Sequence, residues 1–188
     1  MPRVAVLLAA GAGTRFAGPE HKLLALIGGQ PVWQLALEHA KDAGFDHVIV
    51  VTGALHLPLP PGVIEQRNPA WAQGQATSLA AGVEAARALG ATTVTVGLAD
   101  QPFIPSSAWR AVTDAPPDCP IVIASYDGEV GPNPVRLHES VWPLLPTTGD
   151  EGARSLILNH PEWVFRVACL GSVADIDTLE DLGRWKSC

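Results

Sequence analysis

Val4-Ala5-Val6-Leu7-Leu8-Ala9-Ala10-Gly11-Ala12-Gly13-Thr14-Arg15-Phe16 is the stretch on which the reading of this chain turns. Val4 to Leu8 is an unbroken apolar run of strand length, the pattern of a parallel strand buried on both faces. It ends in small residues and glycines, which let the backbone approach a ligand and turn its N–H groups toward phosphate oxygens. Arg15, and Lys22 a few residues on, add cations to the same loop. A loop beyond the carboxyl end of a buried strand is where open α/β sheets bind ligands.

Two commoner phosphate loops do not fit. A dinucleotide fingerprint needs a third small residue where Phe16 stands. A P-loop needs Lys-Ser/Thr after its second glycine, but Pro19-Glu20 follow Gly18. An NAD-dependent oxidoreductase is therefore disfavoured.

Outward from this loop, strand and helix patterns alternate. Helices are expected from Pro31 through Trp33, Leu37 and Ala40 to a stop at Gly44, over Gln75–Leu89 before Gly90, and near Ser106–Thr113. Others are expected near Glu139–Leu145, over Asp150–Asn159 and at the end of the chain. Strands are expected at Val48–Val51, Thr93–Leu98, Pro120–Ala124, around Pro134–Leu137 after an Asp127-Gly128 turn, and at Val164–Ala168. The Pro58–Pro61 cluster reads as a stiff loop rather than a boundary, so residues 1–188 are read as one domain. The alternation predicts an α/β, Rossmann-like doubly wound fold, its mostly parallel sheet covered by helices on both faces.

Composition narrows the partners. With 47% hydrophobic and 16% charged residues the chain is a globule, not a disordered tail. Its net charge of −7 includes no basic stripe, which disfavours nucleic acid. An anionic substrate would need the few cations concentrated locally. No apolar run approaches membrane-span length, and nothing near the N-terminus resembles a signal peptide. Cys119, Cys169 and Cys188 have no pairing pattern and point to a reducing, cytoplasmic setting. The six histidines lack metal-ligand spacing and read as loop or surface residues.

Leu7 to Phe16 with Lys22-Leu23-Leu24 resembles the signature of the pyrophosphorylase-like nucleotidyltransferases, and within them most closely the molybdenum-cofactor cytidylyltransferase branch. Four further segments carry the resemblance along the chain in family order. They are Asn68-Pro69-Ala70-Trp71 with Gly74 and Ser78, Leu98-Ala99-Asp100-Gln101-Pro102, Gly149 to Arg154, and Asp175 to Leu182. Ala9-Ala10-Gly11 favours the cytidylyl over the guanylyl branch, whose loop more often reads Ala-Gly-Gly.

The resemblance implies a nucleotide-diphospho-sugar transferase type of fold with one antiparallel strand in a mixed sheet. It implies a Mg²⁺-dependent transfer of NMP, with CTP and molybdopterin as the leading pair. Onward transfer of the product to a molybdoenzyme or its chaperone is implied as well. Sugar phosphates, alcohol phosphates and phospholactate are rival acceptors, and a non-catalytic nucleotide-binding accessory protein is a rival class.

By the same resemblance, Leu8, Ala9, Ala10, Gly11, Gly13, Thr14, Arg15 and Lys22 bind the phosphates, and Gly74 and Ser78 meet the base and ribose. Arg15, Lys22 and Asp100 are the catalytic candidates, Asp100 as a metal ligand. Asn133, Pro134, Asp150 and Arg154 fall on the acceptor side.

Local alternatives stand beside several of these. Asp100 starts a turn before Pro102, Gly74 follows Gln73 in a turn, Ser78 lies in a helical first turn, and Asp150 has the position of an N-cap. The family often has Ser where this chain has Thr77. Arg15 and Lys22 are both expected to be exposed. For the second metal ligand, Asp177-Thr178-Leu179-Glu180 has the spacing of a capping box. That spacing assigns Asp177 to the helix cap and leaves Asp175 for the metal.

Overall fold

In this computed structural model, residues 1–126, 133–172 and 174–185 are described. The Asp127-Gly128 turn and Cys188 lie outside them. Strands β1 (Val4–Ala9), β2 (Leu26–Ile27) and β3 (Gln30–Pro31) precede helix α1 (Val32–Lys41). Then come β4 (His47–Thr52), β5 (Val63–Arg67), α2 (Gln75–Ala88), β6 (Thr93–Leu98), α3 (Ser106–Thr113), β7 (Ile121–Tyr126), β8 (Val135–His138), α4 (Arg154–Asn159), β9 (Val164–Cys169) and α5 (Leu179–Trp185).

Seven strands form one sheet in the order β5-β4-β1-β6-β8-β7-β9, and β2 and β3 form a separate hairpin. β1 pairs in parallel with β4 and with β6, whereas β8 runs antiparallel to both β6 and β7. This is the mixed, mostly parallel sheet that was expected. The period-two pattern sorts its side chains into two cores. Ala5, Leu7, Val48, Val50 and Val122 pack under α1, α3 and α5. Val4, Val6, Ile49, Val94 and Ile123 pack under α2 and α4. The chain runs from β1 to β4 and β5 on one side, then crosses to β6 on the other. The carboxyl ends of β1 and β6 therefore flank the topological switch point, where such sheets open a crevice.

Differences from the sequence reading have local causes. β5 was not expected because Val-Ile-Glu-Gln-Arg carries only two apolar residues, as an edge strand can. The segment over Glu139–Leu144 winds as a 3₁₀ helix with Pro143 inside it. The helix expected over Asp150–Asn159 begins only at Arg154, because Gly152 takes a left-handed φ of 52° just before it. Its N-cap is Ala153, so Asp150 is not a cap. Cys119 and Cys169 are half-buried and free. Among the described residues, no helix is long and apolar enough to cross a membrane.

Candidate active site

The loop after β1 is pinned at both ends. Phe16 is buried in the core beneath α1, and its amide donates to the Gly13 carbonyl at 3.0 Å. The third position of the dinucleotide fingerprint is therefore an anchor. Gly13 has a φ of 63°, and a Cβ there would come within 3.1 Å of the Lys22 side chain. Only glycine suits both constraints.

His21 joins this loop to the turn that carries Lys22. Its Nδ1 accepts the Leu23 amide at 3.2 Å, so Nε2 carries the hydrogen and donates to the Gly11 carbonyl at 3.0 Å. Burial first, and the neighbouring Lys22 charge second, hold its pKa below the usual 6.5; the bond to Gly11 opposes them. A protonated ring would lose the acceptor for Leu23. The stability that neutral His21 contributes is thus complete above the ordinary histidine value and lost as pH falls through the lowered folded value. The melting temperature of His21→Ala should lie below wild type at neutral pH, and the gap should narrow from about pH 7 to about pH 5. A gap independent of pH would refute this role. The sequence reading treated His21 as an ordinary loop histidine and missed the bridge, because it spans ten residues without a motif.

Lys22 lies between two carboxylates. Its ammonium donates to Oδ2 of Asp100 at 2.6 Å and to Oδ1 of Asp177 at 2.5 Å. The Lys22 side chain is only 13% exposed, against the expectation that it would be open, whereas Arg15 at 80% is open. Arg15 meets the other oxygen of Asp177 at 3.0 Å. Burial opposes the Lys22 charge, but Asp100 and Asp177 together outweigh it and raise its pKa above the ordinary lysine value. Oδ1 of Asp100 is buried and has no hydrogen-bond partner among the described residues.

The C-terminal carboxylates depart from the sequence argument. The capping box is Thr178 with Asp181: the Asp181 amide donates to the Thr178 hydroxyl at 3.2 Å, and Asp181 accepts the Thr178 amide at 2.9 Å. Asp177 is not the cap, and Glu180 instead pairs with Arg184. The premise that reserved Asp175 for the metal is therefore gone. Ile176 is fully buried, and its amide donates to the Asp100 carbonyl at 2.9 Å, so this strap is sewn to the Asp100 turn. On either side of Ile176 the carboxylates diverge, Asp177 to Lys22 and Asp175 to the Gln101 amide at 2.6 Å.

Arg15, Lys22, Asp100 and Asp177, but not Asp175 or Gln101, line a cavity of about 460 Å³ at the crevice. Leu8, Ala9 and Ala10 form its floor, and Gly11, Gly13 and Thr14 its loop wall, with Arg15, Lys22 and Asp100 beside them. Gly74, just before α2, and Ser78, within it, join the lining. Gly74, at φ 109°, has no room for a Cβ because the Gly149 backbone lies against it. The Ser78 and Thr77 hydroxyls both accept from the buried Asn68 amide, which makes Asn68 the scaffold of this wall.

A second cavity of about 400 Å³ shares Leu8, Gln75, Leu98 and Asp150 with the first. Asn133, Asp150 and Arg154 rim it, over an apolar floor that includes Leu79, Val96 and Leu137. Pro134 is buried behind Asn133, its carbonyl bonded to the Ala124 amide. Trp71 is a cavity residue to which the sequence reading gave no role, and Asp177 is one that it assigned to the helix cap.

Residues 5–164 match the MobA-like NTP transferase domain. The chain belongs to that family. It is a nucleotidyltransferase. PucB, a purine catabolism protein of Bacillus subtilis, is 28% identical over 95% of this chain and 93% of its own length. The crystal structure of Rv0371c from Mycobacterium tuberculosis is 29% identical, with a TM-score of 0.83 over 100% of this chain and 98% of that one. Its manganese complex is 27% identical, with a TM-score of 0.79 over 100% and 99%.

Proposed function

We propose that this MobA-like domain transfers CMP from CTP to the phosphate of a pterin-type acceptor such as molybdopterin, using Mg²⁺ and releasing pyrophosphate. The product then passes to a molybdoenzyme or its chaperone. The observation that carries the chemistry is the charge balance of the first cavity, where Arg15 and Lys22 face Asp100, Asp150 and Asp177. Two cations against three carboxylates would repel a polyanionic triphosphate unless a further cation comes with it. Asp100 and Asp177 already hold one cation between them, the Lys22 ammonium, and Oδ1 of Asp100 is a buried acceptor without a partner among the described residues. Such a pair fits Mg²⁺, which takes one or two carboxylates and draws its remaining ligands from water and phosphate. Among the described residues, no three His, Cys, Asp or Glu side chains converge as a closed cage. The manganese complex of a relative supports a divalent metal cofactor.

Asp100 and Asp177 would hold the metal, which would supply positive charge against the triphosphate and the leaving pyrophosphate. The loop amides and Arg15 would fix the triphosphate, and Lys22 would turn from the carboxylates to the phosphates. Asp150, on the wall common to both cavities, faces the path between them. The acceptor phosphate oxygen attacks the α-phosphorus in line as the bond to the bridging oxygen breaks. The protein supplies orientation and charge, with no covalent intermediate. The apolar floor and polar rim of the second cavity suit a flat heterocycle with ring N–H groups and a charged tail near Arg154. The Ala9-Ala10-Gly11 loop supports the cytidylyl choice.

A thermal-shift panel of CTP, GTP, UTP and ATP with Mg²⁺ tests the reading. CTP at about 100 times its dissociation constant should add roughly 2.7 kcal/mol of stability, and NAD and NADP should add nothing. A response to NAD and to no triphosphate would overturn nucleotidyl transfer here. A response to GTP alone would overturn the cytidylyl choice.

A further inference from the structure

Asp175 is bonded away from Lys22, yet it is tied into the acceptor cavity. Gln101 donates its amide N–H to Oδ1 of Asp175 at 2.6 Å. The Gln101 carbonyl oxygen accepts the Asn133 side-chain N–H at 2.9 Å. Asn133 rims the second cavity, and its backbone carbonyl is held by the Tyr126 hydroxyl at 3.1 Å.

The orientation of both amides follows from the end of this chain of bonds. A carboxylate has no hydrogen to donate, so Gln101 must turn its NH₂ toward Asp175 and its oxygen toward Asn133. Asn133 must then turn its own NH₂ toward Gln101. Its Oδ1 is left at the outer end, with no partner among the described residues. Gln101 is buried, so a reversed amide would set two donors or two acceptors against each other out of water, which is costly.

We propose that Asp175 is a positioning residue for acceptor specificity, and that through Gln101 it commits Asn133 to offering a carbonyl oxygen. The group recognised there is an N–H or O–H donor on the acceptor, such as a ring N–H or an amino group. A ligand with only acceptor atoms at that point is rejected, because two oxygens would face each other. This rests on reading the second cavity as the acceptor site.

The decisive substitution is Asp175→Asn, which keeps the shape and removes the carboxylate that fixes the relay. In ¹H–¹⁵N spectra the side-chain NH₂ signals of Gln101 and Asn133 should move or broaden. The affinity for Mn²⁺ with CTP should stay within about twofold, since Asp177 faces Lys22. With molybdopterin as acceptor, KM should rise about tenfold while kcat changes little. Asn133→Ala should give the same KM effect, and the double variant should be no worse than Asn133→Ala alone.

Unmoved Asn133 signals, additive effects in the double variant, or a tenfold loss of Mn²⁺ affinity in Asp175→Asn would each overturn the proposal. If wild type does not turn over molybdopterin, the acceptor reading fails on its own. The amide signals still decide whether Asp175 orients Asn133.

Discussion

Asp177→Asn should lower kcat about 10³-fold in a pyrophosphate-release assay with Mg²⁺, Asp100→Asn should do the same, and Asp175→Asn should cost far less. The magnitude is that of removing a charge that acts on the transition state, for which single polar groups are worth about 10²–10³. Asp100 and Asp177 contact one ammonium from two sides, at 2.6 and 2.5 Å, so either carboxylate alone leaves half of a cation site. Asp175 is bonded to Gln101, and burial, ahead of the charges on Asp100 and Asp177, raises its pKa; the Gln101 bond opposes that rise. Its carboxylate is directed to Gln101 and not to the Lys22 ammonium that Asp100 and Asp177 share, which makes it the poorer candidate for magnesium. All three variants should keep near-wild-type melting temperatures, because in each the Lys22 ammonium retains at least one carboxylate. The finding that would reverse the assignment is Asp175→Asn as the most damaging of the three, with loss of Mn²⁺ affinity.

That ranking inverts the one the sequence supports, and the reason is physical. Buried parallel strands such as Val4–Ala9 and Thr93–Leu98 declare themselves through unbroken apolar runs, and helices such as α2 through three- and four-residue spacing with Gly90 as a stop. The loop after β1 was legible as part of the candidate site because glycines and cations are confined to one short segment, and it does line the first cavity. Which of two carboxylates turns inward is a different kind of fact. Asp177-x-x-Glu180 and Thr178-x-x-Asp181 are equally good capping boxes on paper, offset by one residue. Only tertiary contact selects between them: Ile176 enters the core, its amide is fixed to the Asp100 carbonyl, and Asp177 is drawn to Lys22 and Arg15. His21, Gln101 and Asn68 were hidden for the same reason. Each acts by joining segments, and a bond between segments leaves no periodicity to read. β5 escaped notice through the polarity of an edge strand.

Lys22→Ala and Arg15→Ala separate in the same way, although the sequence treats them alike. Both should lose about 10²–10³ in turnover, since each removes a cation facing the triphosphate. Their stabilities should differ. Arg15 is exposed, and its pairing with Asp177 at the surface is worth little, so Arg15→Ala should melt within a degree or two of wild type. Lys22 is mostly buried and is the cation shared by Asp100 and Asp177. Removing it leaves two carboxylates facing each other at the edge of the core, a change of the kind that costs roughly 3–5 kcal/mol when a buried pair is broken. A divalent ion can take the place that the ammonium has left. Mg²⁺ without nucleotide should therefore raise the melting temperature of Lys22→Ala toward that of wild type, and raise wild type itself only slightly. Manganese affinity in the absence of nucleotide should likewise be at least about tenfold tighter in Lys22→Ala, because the ion no longer competes with a built-in charge. On the proposed mechanism that competition would link metal to nucleotide in wild type: triphosphate would draw Lys22 toward its oxygens and free the carboxylates for the ion. A Lys22→Ala protein that melts like wild type and ignores Mg²⁺ would mean that Asp100 and Asp177 hold no cation in common, and the proposed metal site would fall with it.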